Sequence, residues 1–353
     1  MARSSLFPKP QSGLALVFAL ALPASVPAAA LAAGEVAVCI AEPYVEELAA
    51  AREHDPRLRV EPWRTVDDLY QRAAGCDAVV GLPPRADLDR LLDAAPRLRW
   101  IQTSSAGVES LVRFDRLRDS TVVLTNTRII QGPEIADHAF ALLLNLTRDM
   151  KFYNEQMAKG FERTTRLPLI ELEGKTALVI GLGGIGTQIA QRAAAFGMRV
   201  VAIDPKDIPL HRDVEYVGRP DELDALLPQA DVVFSSVPLT PESRGMLGAE
   251  QLALMKDGVY LINVSRGGIV DTEALTAALA SGKVRAAGLD VTEPEPLPAD
   301  HPLWSMPNVT ITPHIATASD QVEERRRELF RDNVERFVAG RPLRNVVDKT
   351  KGY

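Results

Sequence analysis

From Glu35 onward the chain alternates short apolar runs with stretches of helical spacing. The runs VAVCI (36–40), LRV (58–60), DAVVG (77–81), LRWI (98–101) and TVVLT (121–125) are predicted to be buried strands, because each is short, apolar and bounded by polar or turn residues. Segments such as YVEELAAAREH (44–54) between them carry helical spacing. Strands alternating with helices imply a small parallel sheet covered on both faces. A second series follows: TALVI (176–180), RVVAID (199–204), ADVVFSS (230–236), GVYLIN (258–263), VRAAGLD (284–290) and NVTITPH (308–314). It predicts a second, larger doubly wound sheet. The stretch GPEIADHAFALLLNLTRDMKFYNEQMAKG (132–160) between the two series is predicted to be a largely helical connector. DQVEERRRELFRDNVERFVAG (320–340) is predicted to be a long helix, closed by Gly340 and followed by Pro342. It is expected to return to the first lobe and make that lobe discontinuous.

The N-terminal residues follow a different pattern. Arg3 and Lys9 precede the apolar run LALVFALAL (14–22), and the small residues of AAALAAGE suit cleavage near Ala32 or Ala33. Residues 1–33 are therefore expected to be an export signal rather than a membrane span, since the run is too short to cross a bilayer. The alternative is an apolar extension on a cytoplasmic protein.

Composition narrows the picture further. With 353 residues, 46% of them hydrophobic and 25% charged, the chain is long enough for two domains. A formal net charge of -7 and the lack of any long Lys/Arg run argue against nucleic acid as a partner. Arg325, Arg326 and Arg327 stand among glutamates and are expected to form a solvated helix face. Cys39 and Cys76 lack the spacing of a disulfide framework or a metal pair and are expected to be buried apolar thiols. The five histidines show no metal-binding spacing, so no metal is expected.

The chemistry begins at GLGGIG. Alone, the GxGxxG pattern of Gly181, Gly183 and Gly186 is weak, but here a strand ends at its first glycine, a helix follows, and a second strand ends at Asp204. That order suits a dinucleotide: Gly181 permits the turn, Gly183 lets backbone approach a pyrophosphate, and Gly186 permits close helix packing. The N–H groups at the helix start, around Gly184 and Ile185, face the phosphates. Asp204 accepts hydrogen bonds from an adenosine ribose and repels a 2′-phosphate, which favours NAD over NADP. Arg266, Glu295 and His314 each follow a strand of the second series, beyond the carboxyl ends where open α/β sheets bind ligands. An arginine fork, a histidine proton donor and a carboxylate that holds the histidine suit reduction of a 2-oxo acid.

Beyond GLGGIG with Asp204, the motifs VPLTPESRGMLG (237–248), LINVSRGGIVD (261–271), GLDVTEPEPLPADHPLW (288–304) and TPHIA (312–316) resemble those of the D-isomer-specific 2-hydroxyacid dehydrogenases, over nearly the whole of 36–348. The resemblance implies an α/β protein of two doubly wound parallel-sheet domains. In it a Rossmann NAD-binding domain (134–316) is inserted into a smaller flavodoxin-like substrate domain (34–133 and 317–353). It also implies Arg266, Glu295 and His314 as the catalytic set, Val237, Pro238, Val264, Asp290 and His314 beside the cofactor, and the N–H groups of Ala106 and Gly107 in SSAGVE on the substrate carboxylate. A homodimer formed through the dinucleotide-binding domain is implied as well; that no stable membrane anchor is expected rests instead on the short 14–22 run. GLDVTEPEPLP is similar to the corresponding stretch of glyoxylate and hydroxypyruvate reductases, which makes a small 2-oxo or 2-hydroxy acid the expected substrate. Two other readings stand beside this one: an NAD-binding regulatory scaffold without turnover, and a periplasmic solute-binding protein.

Overall fold

A computed structural model of the chain describes residues 34–160, 164–166, 168–208 and 212–353. The expected export signal, residues 1–33, lies outside the described residues. The first lobe contains β1 (Val36–Ala41), β2 (Leu58–Trp63), β3 (Ala78–Leu82), β4 (Trp100–Thr103) and β5 (Val123–Thr125). They form one parallel sheet in the order β2-β1-β3-β4-β5. Helices α1 (Val45–His54), α2 (Val66–Arg72), α3 (Leu88–Ala94), α4 (Glu109–Val112) and α5 (Asp115–Arg118) connect these strands. Two helices, α6 (Gly132–Thr147) and α7 (Met150–Met157), lead to the second lobe.

That lobe contains β6 (Thr176–Ile180), β7 (Arg199–Ile203), β8 (Tyr216–Gly218), β9 (Val232–Ser235), β10 (Val259–Asn263), β11 (Val284–Leu289) and β12 (Val309–Ile311), with α8 (Gly184–Ala195), α9 (Leu223–Leu226), α10 (Ala249–Leu254) and α11 (Thr272–Ser281). Its parallel sheet runs β12-β11-β10-β9-β6-β7-β8, so the chain reverses direction between β6 and β9. In such a sheet that reversal is the ligand crevice. Strand β8 was not predicted, since its three residues YVG carry no run long enough to register.

The last helix, α12 (Val322–Val338), crosses back to the first sheet. Its apolar stripe, Phe330, Val334, Phe337 and Val338, belongs to the core of the first lobe, where Phe337 packs on Trp100 at 5.1 Å between ring centroids. Burial of each such side chain contributes about 1.5–3 kcal/mol. Polar contacts fix the register: Asn333 Nδ2 donates to Gln102 Oε1 at 2.9 Å, and Asn333 Oδ1 accepts from Arg344 N at 2.7 Å. The arginine cluster on this helix is not the solvated face expected from its composition. Arg325 pairs with Glu134 of α6, Arg326 with Glu323 and Tyr44, and Arg327 with Glu47 of α1. Folding brings carboxylates from other helices to Arg325 and Arg327, whereas Arg326 keeps a neighbour on its own helix.

The cysteine expectation also requires correction. Cys39 lies in β1 and Cys76 just before β3, and the pairing of those two strands brings the Cα atoms to 5.8 Å, where the sulfurs form a disulfide. Both residues are buried, as expected, but they are not free thiols. A separation of 37 residues gives no sequence signal, because only the strand order decides that they are neighbours.

Candidate active site

The dinucleotide turn sits at the reversal of the second sheet. Gly181 has φ 89°, which favours glycine, and a Cβ there would meet Val237 Cγ1 at 2.7 Å. A Cβ on Gly186 would fall 1.8 Å from the Gly181 carbonyl oxygen, so only glycine lets α8 start this close to β6. By contrast, the space beside Gly183 is open, with no atom within 4 Å of an added Cβ. The first intrahelical bond of α8 runs from Thr187 N to Gly183 O, leaving the preceding N–H groups at the helix start without helical acceptors. Asp204, at the end of β7, accepts from Leu182 N at 2.9 Å and from Lys206 N at 2.8 Å, which ties it to the glycine turn. Open space beside a glycine, a free helix start and a fixed carboxylate fit the pyrophosphate and adenosine ribose of a dinucleotide. Val237 and Pro238 follow β9 on the other side of the crevice, and Val264 follows β10.

The three polar residues expected at the site follow the neighbouring strands β10, β11 and β12. His314 Nδ1 lies 2.8 Å from Glu295 Oε1. A carboxylate only accepts, so Nδ1 carries the hydrogen in that contact and Nε2 remains for proton exchange. Both side chains are exposed. Glu295 lies between the cis peptide bonds Glu293–Pro294 and Glu295–Pro296. Its loop is tied down by Thr292 Oγ1 donating to Pro294 O at 2.9 Å and Thr272 Oγ1 donating to Glu293 O at 2.7 Å.

His314 itself has φ 54°, a backbone conformation that costs a non-glycine residue about 1–2 kcal/mol. Asp290 is the source of the restraint. Its carboxylate accepts from Ile315 N and Ala316 N, each at 3.0 Å, and from Thr312 Oγ1 at 2.7 Å, while its carbonyl accepts from His314 N at 2.9 Å. His138 of α6 completes the group, with Nε2 2.8 Å from Thr312 Oγ1 and 3.4 Å from Asp290 Oδ1. Burial opposes the charge on Asp290, but the hydrogen bonds from His138, Thr312 and the two N–H groups outweigh it and hold the carboxyl below its ordinary range. The Asp290 carboxylate is thus already engaged within the protein. His138 and Thr312 were missed by sequence reasoning, since a histidine inside an apolar helix and a threonine at a strand end carry no pattern of their own.

Arg266 is placed by Asn263, whose Oδ1 accepts from Ser265 N and whose Nδ2 donates to Arg266 O at 2.9 Å. Its guanidinium reaches the other lobe. Nε lies 3.2 Å from Glu109 Oε1, and a Cβ on Gly107 would fall 1.8 Å from Nη2. The structure therefore brings Arg266 to Gly107 and brings His314 to Glu295. The N–H groups of Ala106 and Gly107 donate to no other described residue. Their loop is held by Asn126 Nδ2 donating to Ala106 O at 2.7 Å and Thr127 N donating to Ser105 O at 3.1 Å.

Residues 140–316 match the family model for the D-isomer specific 2-hydroxyacid dehydrogenase, NAD binding domain. The chain belongs to the D-isomer specific 2-hydroxyacid dehydrogenases. It is 34% identical to the glyoxylate reductase of Korarchaeum cryptofilum over 80% of this chain and 85% of that one. It is 31% identical to the D-3-phosphoglycerate dehydrogenase of Methanocaldococcus jannaschii over 89% of this chain, but spans only 59% of that relative's length. A crystal structure of a family protein from Aeromonas salmonicida subsp. salmonicida matches with a TM-score of 0.76 and 31% identity, covering 90% of this chain and 100% of that one.

Proposed function

We propose that this family member catalyses the reversible, NADH-dependent reduction of a small 2-oxo acid of the glyoxylate or hydroxypyruvate type to the D-2-hydroxy acid. The His314–Glu295 contact at 2.8 Å carries the reading: a histidine whose Nδ1 is occupied presents Nε2 as donor or acceptor of one proton. The family match and the similarity to a protein named glyoxylate reductase support the substrate class. Gly181, Gly183, Gly184, Ile185 and Gly186 hold the pyrophosphate, Asp204 the adenosine ribose, and Val237, Pro238 and Val264 line the crevice toward the nicotinamide. When bound, the nicotinamide supplies or takes up the hydride. In the reductive direction Arg266 and the N–H groups of Ala106 and Gly107 bind the substrate carboxylate, Arg266 polarises the carbonyl, and His314 Nε2 gives its proton to the forming alkoxide. Glu295 orients His314 and balances its charge when protonated. Asp290 lies beside the nicotinamide and also holds the His314 loop, its carboxylate accepting from Thr312 Oγ1 and the N–H groups of Ile315 and Ala316.

NADH oxidation with a panel of 2-oxo acids, followed by chiral analysis of the product, tests the reading. Turnover giving the D-isomer supports it. Tight NADH binding without turnover of any acid would favour the regulatory scaffold instead.

On the same reading, residues 34–133 and 317–353 form the substrate domain and 134–316 the NAD-binding domain. The mature protein is exported after removal of residues 1–33, which the Cys39–Cys76 disulfide supports, because disulfides persist in oxidising compartments. Mass spectrometry of the native N-terminus decides this, and an intact Met1 or Ala2 terminus removes it. We assign a homodimer to the dinucleotide-binding lobe, with α7 and the turn at 302–304, where Met150, Met157 and Trp304 are exposed, as its contact surface; light scattering reads its mass.

A further inference from the structure

We propose that Glu109 is a specificity-determining residue: it holds Arg266 when no substrate is bound and sets the site against 2-oxo acids that carry a second negative charge. The inference rests on the 2-oxo acid reading above and deepens it.

Glu109 opens α4, two residues beyond Gly107. Its Oε1 lies 3.2 Å from Arg266 Nε, and an added Cβ on Gly107 would lie 2.7 Å from Glu109 Oε2 and 1.8 Å from Arg266 Nη2. Carboxylate and guanidinium therefore meet over the Cα of Gly107, beside N–H groups that donate to no other described residue. The remaining guanidinium nitrogen, Nη1, donates to Ser265 O at 2.7 Å. The edge of Arg266 that would read a substrate carboxylate thus already faces a carboxylate. Each side chain is 31% exposed, so water and a small anion reach the pair.

Two consequences follow from charge alone. The Arg266–Glu109 pair is neutral as a unit, so a monoanionic substrate that shares Arg266 leaves the site with one net negative charge. A substrate with a second anionic group on its third carbon, a phosphate ester or a carboxylate, adds like charge close to Glu109. At a partly exposed site that repulsion is weakened by water but not abolished. The pair also joins the two lobes, one partner from α4 and the other from the loop after β10, so the same carboxylate keeps Arg266 turned toward the substrate loop in the empty site. A neutral tail, as in glyoxylate or hydroxypyruvate, meets no such opposition.

The test uses the full chain with NADH and compares kcat/KM for hydroxypyruvate with that for its 3-phosphate ester, in the native protein and in the Glu109→Gln and Glu109→Asp variants. The native protein is expected to prefer hydroxypyruvate by about a hundredfold or more. Glu109→Gln should narrow that ratio by about tenfold, mainly through a lower KM for the ester, since a tenfold change is what one moderately screened charge contact supplies. Glu109→Asp, which keeps the charge, should retain most of the preference. A purely structural ion pair would lower the melting temperature of Glu109→Gln without moving the ratio. An unchanged ratio in Glu109→Gln, or equal native efficiency with both acids, overturns the inference while leaving the enzyme reading intact. Absence of native turnover with every 2-oxo acid removes both.

Discussion

The loop after β12, carrying His314, and the loop after β4, carrying Ala106 and Gly107, belong to different lobes and are held in different ways. Four contacts to Asp290, from Thr312 Oγ1 and the N–H groups of His314, Ile315 and Ala316, fasten the first, with His138 behind them, and hold His314 in a left-handed backbone. The second is held at Ser104, Ser105 and Ala106 by bonds to Leu82 O, Thr103 Oγ1, Thr127 N and Asn126 Nδ2, and by an ion pair to the other lobe, but the N–H groups of Ala106 and Gly107 donate to no described residue. A proton donor must sit within hydrogen-bond reach of the atom it serves, and a small misplacement is costly in rate. A substrate-binding loop must instead release one partner to take another. The difference teaches where donors are kept free in this molecule: the N–H groups of His314, Ile315 and Ala316 are all committed to Asp290, whereas those of Ala106 and Gly107 stay open beside Arg266.

The largest effect is expected from removing the donor. His314→Ala should lower kcat by roughly two to four powers of ten, the usual worth of positioned acid–base catalysis, with NADH affinity little changed. A loss below tenfold in steady-state kinetics would move the proton to another group and end the comparison. Next comes the fastening itself. Asp290→Ala keeps His314 but frees the Ile315 and Ala316 N–H groups, so kcat should fall by about one to two powers of ten and unfolding stability by about 2–4 kcal/mol, read by stopped-flow and urea titration.

The same carboxylate gives the comparison a pH dependence. Its folded pKa lies below the ordinary value, so its contribution to stability is present above the unfolded pKa near 4 and is lost as pH falls through the folded value. The native protein should therefore lose more stability between about pH 4 and pH 2 than Asp290→Asn, whose side chain does not titrate. Equal acid slopes in melting experiments would show that Asp290 is not the fastening charge.

A smaller effect is expected outside both loops. Asp204→Ala should narrow the preference for NADH over NADPH by about tenfold, since one ribose contact and one repulsion disappear, and should leave the 2-oxo acid specificity unchanged. Equal efficiency with both cofactors in the native protein would refute it. The smallest effect on activity is expected from Cys39→Ser. It opens a disulfide between residues 37 apart and should cost about 2–4 kcal/mol of stability, read as a lower melting temperature, with kcat unchanged because neither site loop touches it. A fall in kcat at a temperature where the variant is folded would connect the first sheet to catalysis.

What the sequence determined by itself was local and periodic. The alternation of apolar runs and helical segments specified two parallel sheets, and the long 320–340 helix was expected to cross back to the first. GLGGIG with Asp204 was legible because a tight turn, a close helix and a ribose partner each require a particular residue at a particular offset. Arg266, Glu295 and His314 were legible as polar residues just beyond strand ends, and by family resemblance.

Only the tertiary structure decided the contacts that depend on which elements become neighbours. The disulfide exists because β1 pairs with β3. Asp290 turns inward because α6 delivers His138 and the β12 loop delivers its own N–H groups to one carboxylate. Glu109 meets Arg266 across 157 positions of sequence, and nothing in SSAGVE or SRGG announces the other. Side-chain partners of this kind are set by strand order and lobe placement, which are properties of the whole chain's burial and not of any window along it.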